Sequence, residues 1–229
     1  MKNTPAESAR KAWNRDHTVL RRLLTQEPDS PKTRAHFLHH HAMVHSAKLA
    51  RDTAYSFQDT ILQGLSDAQM RHIPAGRAHS IAWLLWHMTR IEDATVSVLL
   101  ANKPQVFSRW QKKLDSPLTD VGNEMSAQEI RALSEAIDLR ALLAYRLAVG
   151  RNTRSIAARL DMRALQTKPF AERLQRLEAD GTVRTQAHYL LDYWGGHPQT
   201  NLLLMPATRH SFVHFNEIQR MLPRLRRLT

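Results

Sequence analysis

The sequence predicts an all-α protein, and three observations carry that prediction. Apolar residues recur three and four positions apart over long stretches instead of alternating. Among 229 residues there are only 7 glycines, while 42% are hydrophobic, enough to fill a substantial core. No run of about 20 apolar residues is present, so no stretch reads as a bilayer span. The length suits one domain of ordinary size with a terminal extension.

Residues 6–25 read as a helix, with Ala9, Trp13, Leu20, Leu23 and Leu24 at roughly helical spacing. Ser30 followed by Pro31 then forms a cap with proline in the first helical position. From Lys32 to about Leu65 a long helix is expected, with Leu38, Tyr55, Ile61, Leu62 and Leu65 among its apolar positions. Its start carries His36, His39, His40, His41 and His45. Neighbouring residues point in different directions around a helix, so at most a subset could share one ion; the cluster reads as mostly surface, with His45 turned inward. A connection holding Pro74 and Gly76 leads to a second long helix, Ser80 to Leu100, which is apolar on most sides and therefore central. Trp83 and Trp86 read as core packing, and Glu92 and Asp93, off the His87 face, as partners for an arginine.

The stretch KPQVFSRWQKKLDSPLTDVGNE, with two prolines and a glycine, reads as an extended crossover in which Phe107 and Trp110 either roof a pocket or are simply buried. Ser126 and Glu129 form a capping box for a helix through Ile130, Leu133 and Ile137. Asp138 to about Leu160 is a further helix, with Gly150 as a possible break. The arginine-rich segment that follows invites comparison with a helix-turn-helix, but no glycine marks its turn and Pro169 interrupts the would-be second helix, so a helical insertion is the better account. Helices at Ala171 to Asp180, closed by Gly181, and at Gln186 to Trp194, stopped by Gly195 and Gly196, precede a last helix started by Pro206. On this reading residues 1–30 are an accessory N-terminal helix and residues 31–229 form the bundle domain.

Lys and Arg number 33 against 21 Asp and Glu, a formal charge of +12 with a pI of about 10.7. Such a balance raises the local concentration of anions and favours nonspecific contact with nucleic acid. The basic residues are spread through the chain, as at Arg21, Arg22, Arg151, Arg154, Arg159, Arg163, Arg224, Arg226 and Arg227, so solvated helix faces explain them better than a specific nucleic-acid groove. With no cysteine, a disulfide framework, a cysteine-ligated zinc and a cysteine nucleophile are all excluded. The N-terminus lacks the apolar core of a signal peptide, which makes the cytoplasm the expected compartment, with no membrane partner.

Two separated pieces carry candidate chemistry. His210 and His214 are four apart and so share a helix face. His87, flanked at helical spacing by Trp83, Leu84, Ile91 and Ala94, lies on a core-facing stripe and is the natural third ligand. Three neutral imidazoles with one open position match a catalytic divalent-metal site. On spacing alone, a core histidine at 87 and surface histidines at 210 and 214 remain an equally good reading. Glu217, three beyond His214 and seven beyond His210, shares their face and could fix an imidazole tautomer or ligate.

The run IAWLLWHMTRIED from Ile81 to Asp93, the stretch AMVHSAKLARDTAYSFQDTILQGL before it, and HSFVHFNE near the end resemble the DinB-like family of metal-binding four-helix bundles. The resemblance spans roughly residues 40–222. It implies an up-down-down-up type bundle, here with an extra N-terminal helix and helical insertions. It also implies a metal triad made by one histidine of the second helix and an HxxxH pair of the last, which fall on His87, His210 and His214. Members include transferases and isomerases that use low-molecular-weight thiols, and they often form dimers.

The function expected from site and resemblance together is a zinc- or nickel-dependent S-transferase, or a related detoxifying enzyme, acting on a small-molecule substrate. A divalent ion there would lower the pKa of a bound water or thiol. Because the chain has no cysteine, a thiol would arrive as a cosubstrate, and the positive charge would suit an anionic one. The alternatives are a metal-dependent hydrolase using the same site, or a noncatalytic basic bundle that binds nucleic acid or an acidic partner.

Overall fold

The computed structural model describes residues 5–51, 55–116 and 118–228; residues 52–54, inside the sequence-predicted helix from Lys32 to Leu65, lie outside the described residues, as do 1–4, 117 and 229. The helices are α1 (Pro5–Gln26), α2 (Pro31–Ala42), α3 (Phe57–Leu62), α4 (Asp67–Arg71), α5 (Ile81–Asp93), α6 (Gln111–Leu114), α7 (Ala127–Ala136), α8 (Leu139–Ala157), α9 (Ala171–Ala179), α10 (Tyr189–Gly196), α11 (Thr200–Leu204) and α12 (His210–Leu225). No strand occurs among the described residues, so the protein is all-α, and no described helix is long and apolar enough to cross a membrane.

Side chains that bond the backbone set most helix starts. Ser30, Ser56, Ser66, Ser80, Ser126 and Asp138 each accept a hydrogen bond from a backbone N–H in the first turn that follows, and the backbone N–H of Ser66 and of Ser126 donates in return to the Gln69 or Glu129 side-chain oxygen, completing a capping box.

The same chemistry overturns the expectation of one long helix from Lys32 to Leu65. That chain stops at Ala42, makes a single 3-10 turn at Ala47–Leu49 capped by Ser46, and restarts at Phe57. Ser56 Oγ donates to the His45 carbonyl at 2.7 Å and Phe57 N to the Met43 carbonyl at 2.9 Å, folding the segment back on itself. Serine competes for backbone groups in this way, and apolar spacing carries no sign of it.

Helix α5 is the axis. Every one of its residues is buried, and it packs against α4, α7, α8 and α12. Beyond Asp93 it continues as a π-helical segment, Ala94–Leu100, where Thr95 Oγ1 donates to the Ile91 carbonyl.

The last helix likewise begins earlier than the sequence suggests. It starts at Thr200 and passes through a π-helical segment, Met205–Arg209, holding Pro206. Proline has no N–H to continue the ladder and its ring crowds the preceding turn, so the helix widens instead of ending there. Thr208 Oγ1 lies 3.0 and 2.8 Å from the Leu203 and Leu204 carbonyls and supplies a donor.

The core holds two apolar clusters and a set of buried polar side chains. One gathers Trp13, Phe57, Trp86, Tyr145, Phe212 and Met221; the other gathers Leu20, Phe37, Val96, Leu99, Leu177 and Trp194. Helix α1 therefore contributes to both. Trp13, fully buried, stacks on Phe212 of α12 with ring centroids 3.8 Å apart.

Arg146 is fully buried and donates to Gln58, Thr89, Ser211 and the Val44 carbonyl. Asp93 accepts from Ser97, Tyr145 and the amides of Val106 and Phe107, and lies 3.9 Å from Arg90. An unpaired charge buried at such depth would cost several kcal/mol, so these bonds are required.

The crossover is only partly extended, since it holds a 3-10 turn at Val106–Arg109 and helix α6. Phe107 is buried beneath the Arg90 guanidinium, 3.7 Å from its ring centre, and both it and Trp110 pack towards Tyr145, so burial accounts for them. Gly150 does not break α8, and Gly195 and Gly196 lie inside α10.

Candidate metal centre

His87, His210 and His214 come together. One ring nitrogen from each lies within 4.8 Å of the others, although α5 and α12 are far apart in sequence. The ring centroids of His87 stand 4.9 Å from His210 and 5.3 Å from His214. His87 is 5% exposed and forms the floor, while His210 and His214 are partly exposed and form the rim.

Hydrogen bonds fix which nitrogens face inward. His87 Nδ1 donates to the Val121 carbonyl at 2.5 Å, and His214 Nδ1 donates to Glu217 Oε2 at 2.9 Å, so each keeps its Nε2 lone pair. The Nε2 atoms of His210 and His214 face one another at 3.1 Å. Two lone pairs cannot approach so closely without a proton or a cation between them. Nδ1 of His210 is buried with no hydrogen-bond partner. This donor set fits a divalent ion of the zinc type, which takes neutral imidazole nitrogens in a three-ligand site with one position left over.

The electrostatics agree. Burial, and then the neighbouring His214, pull the His87 imidazole down to about 3. Burial, followed by His87 and His214, holds His210 well below the usual histidine range. Both rings are therefore neutral at physiological pH, as metal ligation requires. The hydrogen bond from His214, and then the His79 ring 3.6 Å away, hold the Glu217 carboxyl well below the carboxylate range, leaving it anionic.

Several groups that sequence reasoning missed surround these rings. His79 stacks on Trp83 at 4.0 Å and stands 3.6 Å from Glu217. Trp83 in turn stacks on His87 at 4.7 Å, so it braces a ring of the triad as well as filling core. Gly122, at φ +94, lets the crossover lie against α5 with the Val121 carbonyl aimed at His87.

A small hollow of about 90 Å³ abuts His210, bounded by Ile91, Leu190, Tyr193, Trp194 and Asn123. Asn123 Oδ1 is buried there without a partner. The glycine and the two prolines of the crossover were the available signals, but nothing in its sequence says which residue a loop carbonyl will meet.

The histidine-rich end of α2 and the turn after it depart from the surface reading. His40, His41 and His45 are fully buried or nearly so, while His36 is partly exposed and His39 exposed. His41 and His45 both face Glu92, which is therefore a partner of histidines and not of an arginine.

Among protein families, the model described as the DinB superfamily matches residues 52–205. The matched span takes in His87 and Glu92 and ends shortly before His210. No curated protein matches the sequence.

Proposed function

The chain belongs to the DinB superfamily, and from that premise we propose that it is a divalent-metal-dependent enzyme that transfers a low-molecular-weight thiol to a small electrophile. In this reading His87, His210 and His214 hold the ion, zinc or nickel. The observation that carries it is the convergence of three imidazoles: His87 and His214 have Nδ1 tied back, and the Nε2 atoms of His210 and His214 lie 3.1 Å apart across the rim. When bound, a divalent ion supplies a Lewis acid that favours the anionic form of a coordinated thiol or water.

The chain's own residues account for the remainder. The Val121 carbonyl and Glu217 hold two rings in the ligating tautomer, and Trp83 keeps the His87 ring in plane. The apolar hollow beside His210 takes the hydrophobic part of the electrophile, with Asn123 Oδ1 free to accept a hydrogen bond. Since the chain has no cysteine, the sulfur comes from a cosubstrate, and the net charge of +12 favours an anionic one. Its S–H proton passes to solvent, the S–C bond forms, and the leaving group departs with its electron pair.

The test has two parts. Elemental analysis should find bound metal in the wild type and little in His214→Ala; equally negligible metal in both overturns the reading. Thiol-dependent loss of an activated aryl halide should then require the loaded wild type. Turnover of ester substrates without thiol would assign hydrolysis instead.

A further inference from the structure

Outside the triad, a second group of ligand-type side chains closes on itself in the interior. His41 at the end of α2, His45 in the turn that follows and Glu92 of α5 place one ligand atom each within 4.8 Å of one another, and their side chains are no more than 1% exposed. His41 Nε2 lies 2.9 Å from Glu92 Oε1 and His45 Nε2 lies 3.0 Å from Oε2. Thr153 of α8 holds Oε1 from a fourth direction at 2.7 Å. We infer that His41, His45 and Glu92 form a second, closed divalent-cation site whose role is to tie α2 and its turn to the central helix.

Three observations support it. The first is the donor set: two imidazoles and a carboxylate are the protein ligands of many zinc and iron sites. The two nitrogen–oxygen separations, 2.9 and 3.0 Å, fall short of the roughly 3.3 Å that tetrahedral bonds of about 2.0–2.1 Å set between neighbouring donor atoms, so a small side-chain movement admits an ion.

The second is the cost of keeping these two rings in the interior, which an ion on their Nε2 atoms would have to offset. Nδ1 of His41 and Nδ1 of His45 are both buried without a partner, so each polar ring is kept in the interior with half its capacity unused. A group retained only for packing would be better served by apolar side chains.

The third is the room made for His45. A Cβ on Gly150 would come within 2.9 Å of His45 Nδ1, so only glycine in α8 lets that ring reach Glu92.

Arg146 works against a cation, because its charge acts on both His45 and Glu92. Its own hydrogen bonds go to Gln58, Thr89, Ser211 and Val44. A carboxylate oxygen at bonding distance outweighs a guanidinium further off, since Coulomb energy falls with separation. With Thr153 and α8 covering it, the site has no opening for a substrate, which marks it as structural.

The experiment counts metal. Wild type, Glu92→Gln and His214→Ala are stripped with a chelator, titrated with zinc and freed of excess. The difference between wild type and Glu92→Gln should be one equivalent per chain, and no difference overturns the second site. The triad is read separately from His214→Ala, so either site can fail while the other stands. Chelation should lower the melting temperature of His214→Ala, and an unchanged value there overturns the structural role of the second site.

Should Glu92→Gln not fold, the wild type decides the matter. In long-range proton–nitrogen spectra, zinc should shift the Nε2 resonances of His41 and His45, and resonances that stay fixed to saturation refute the proposal.

Discussion

His214 and Glu217, one helical turn apart on α12, share a hydrogen bond of 2.9 Å from imidazole Nδ1 to carboxylate Oε2. A carboxylate can only accept, so the ring must carry its proton on Nδ1 and turn Nε2 towards His210. The Glu217 charge also makes that nitrogen a better donor to a cation. Replacing the carboxylate with an amide keeps the shape and removes the charge. Glu217→Gln is expected to weaken zinc binding about 10- to 100-fold with little change in folding. Titration against a competing chelator reads this directly, and an unchanged affinity would show that Glu217 does not tune His214.

Gly122 does for His87 what Glu217 does for His214, but through backbone. At φ +94 it lies in a region closed to most side chains, and an added Cβ would stand 2.6 Å from Trp86, 3.1 Å from Trp83 and 3.4 Å from His87 Nδ1. Both tryptophans are packed in the core and cannot retreat. Gly122→Ala is therefore expected to cost more than about 2 kcal/mol from overpacking and backbone strain together. It should also displace the Val121 carbonyl and weaken metal binding, whereas a distant core lesion would lower stability alone. Urea unfolding beside a zinc titration separates the two, and wild-type values in both would refute this role for the glycine.

The shared face of His210 and His214 was legible because its signal is local, whereas spacing alone left His87 an equally good core histidine and only the family resemblance joined the three. An i, i+4 pair declares its shared face, and His87 sits in an unbroken apolar stripe. The cluster at Glu92 was not legible. Apolar spacing ran on past Ala42, where Ser46 and Ser56 in fact turn the chain, and the turn is what brings His45 back towards α5 beside His41. Glu92 looked misplaced at five positions from His87 because a fully buried helix has useful faces all round. Pro206 misled for a related reason, since a proline that usually starts a helix here sits in a π-helical widening that Thr208 repairs.

Trp13 bears on where the domain begins. This ring is fully buried, stacks on Phe212 at 3.8 Å and on His40 at 4.1 Å, and shares a cluster with Trp86 and Tyr145. Trp13→Ala should cost about 3–5 kcal/mol. A chain starting at Pro31 should lose at least as much, because Leu20, Leu23 and Leu24 go with it. The urea midpoint checks both, and a shortened chain with an unshifted midpoint would show that residues 1–30 are dispensable to the fold.

Acid should unfold the metal-free protein early, and the buried histidines set the sign. Burial is the main cause that lowers His40 to about 2, His45 to about 3 and His87 to about 3, against 6.5 in the unfolded chain. Between about pH 6.5 and 3 the unfolded chain binds these protons and the folded chain does not, so stability is full above that window and falls as pH drops through it. For each ring the loss from pH 7.5 to pH 5.5 is about 1.4 kcal/mol, or roughly 4 kcal/mol for the three if they act independently. Glu92 and Glu217 add to the loss only lower down, near and below the usual carboxylate range, because their folded forms are held ionised. Zinc competes with protons for the same nitrogens, so loading the metal should shift the acid transition to lower pH. Urea unfolding at the two pH values, with and without zinc, measures both effects, and equal stability of the metal-free protein at pH 7.5 and 5.5 is incompatible with three rings buried in their neutral form.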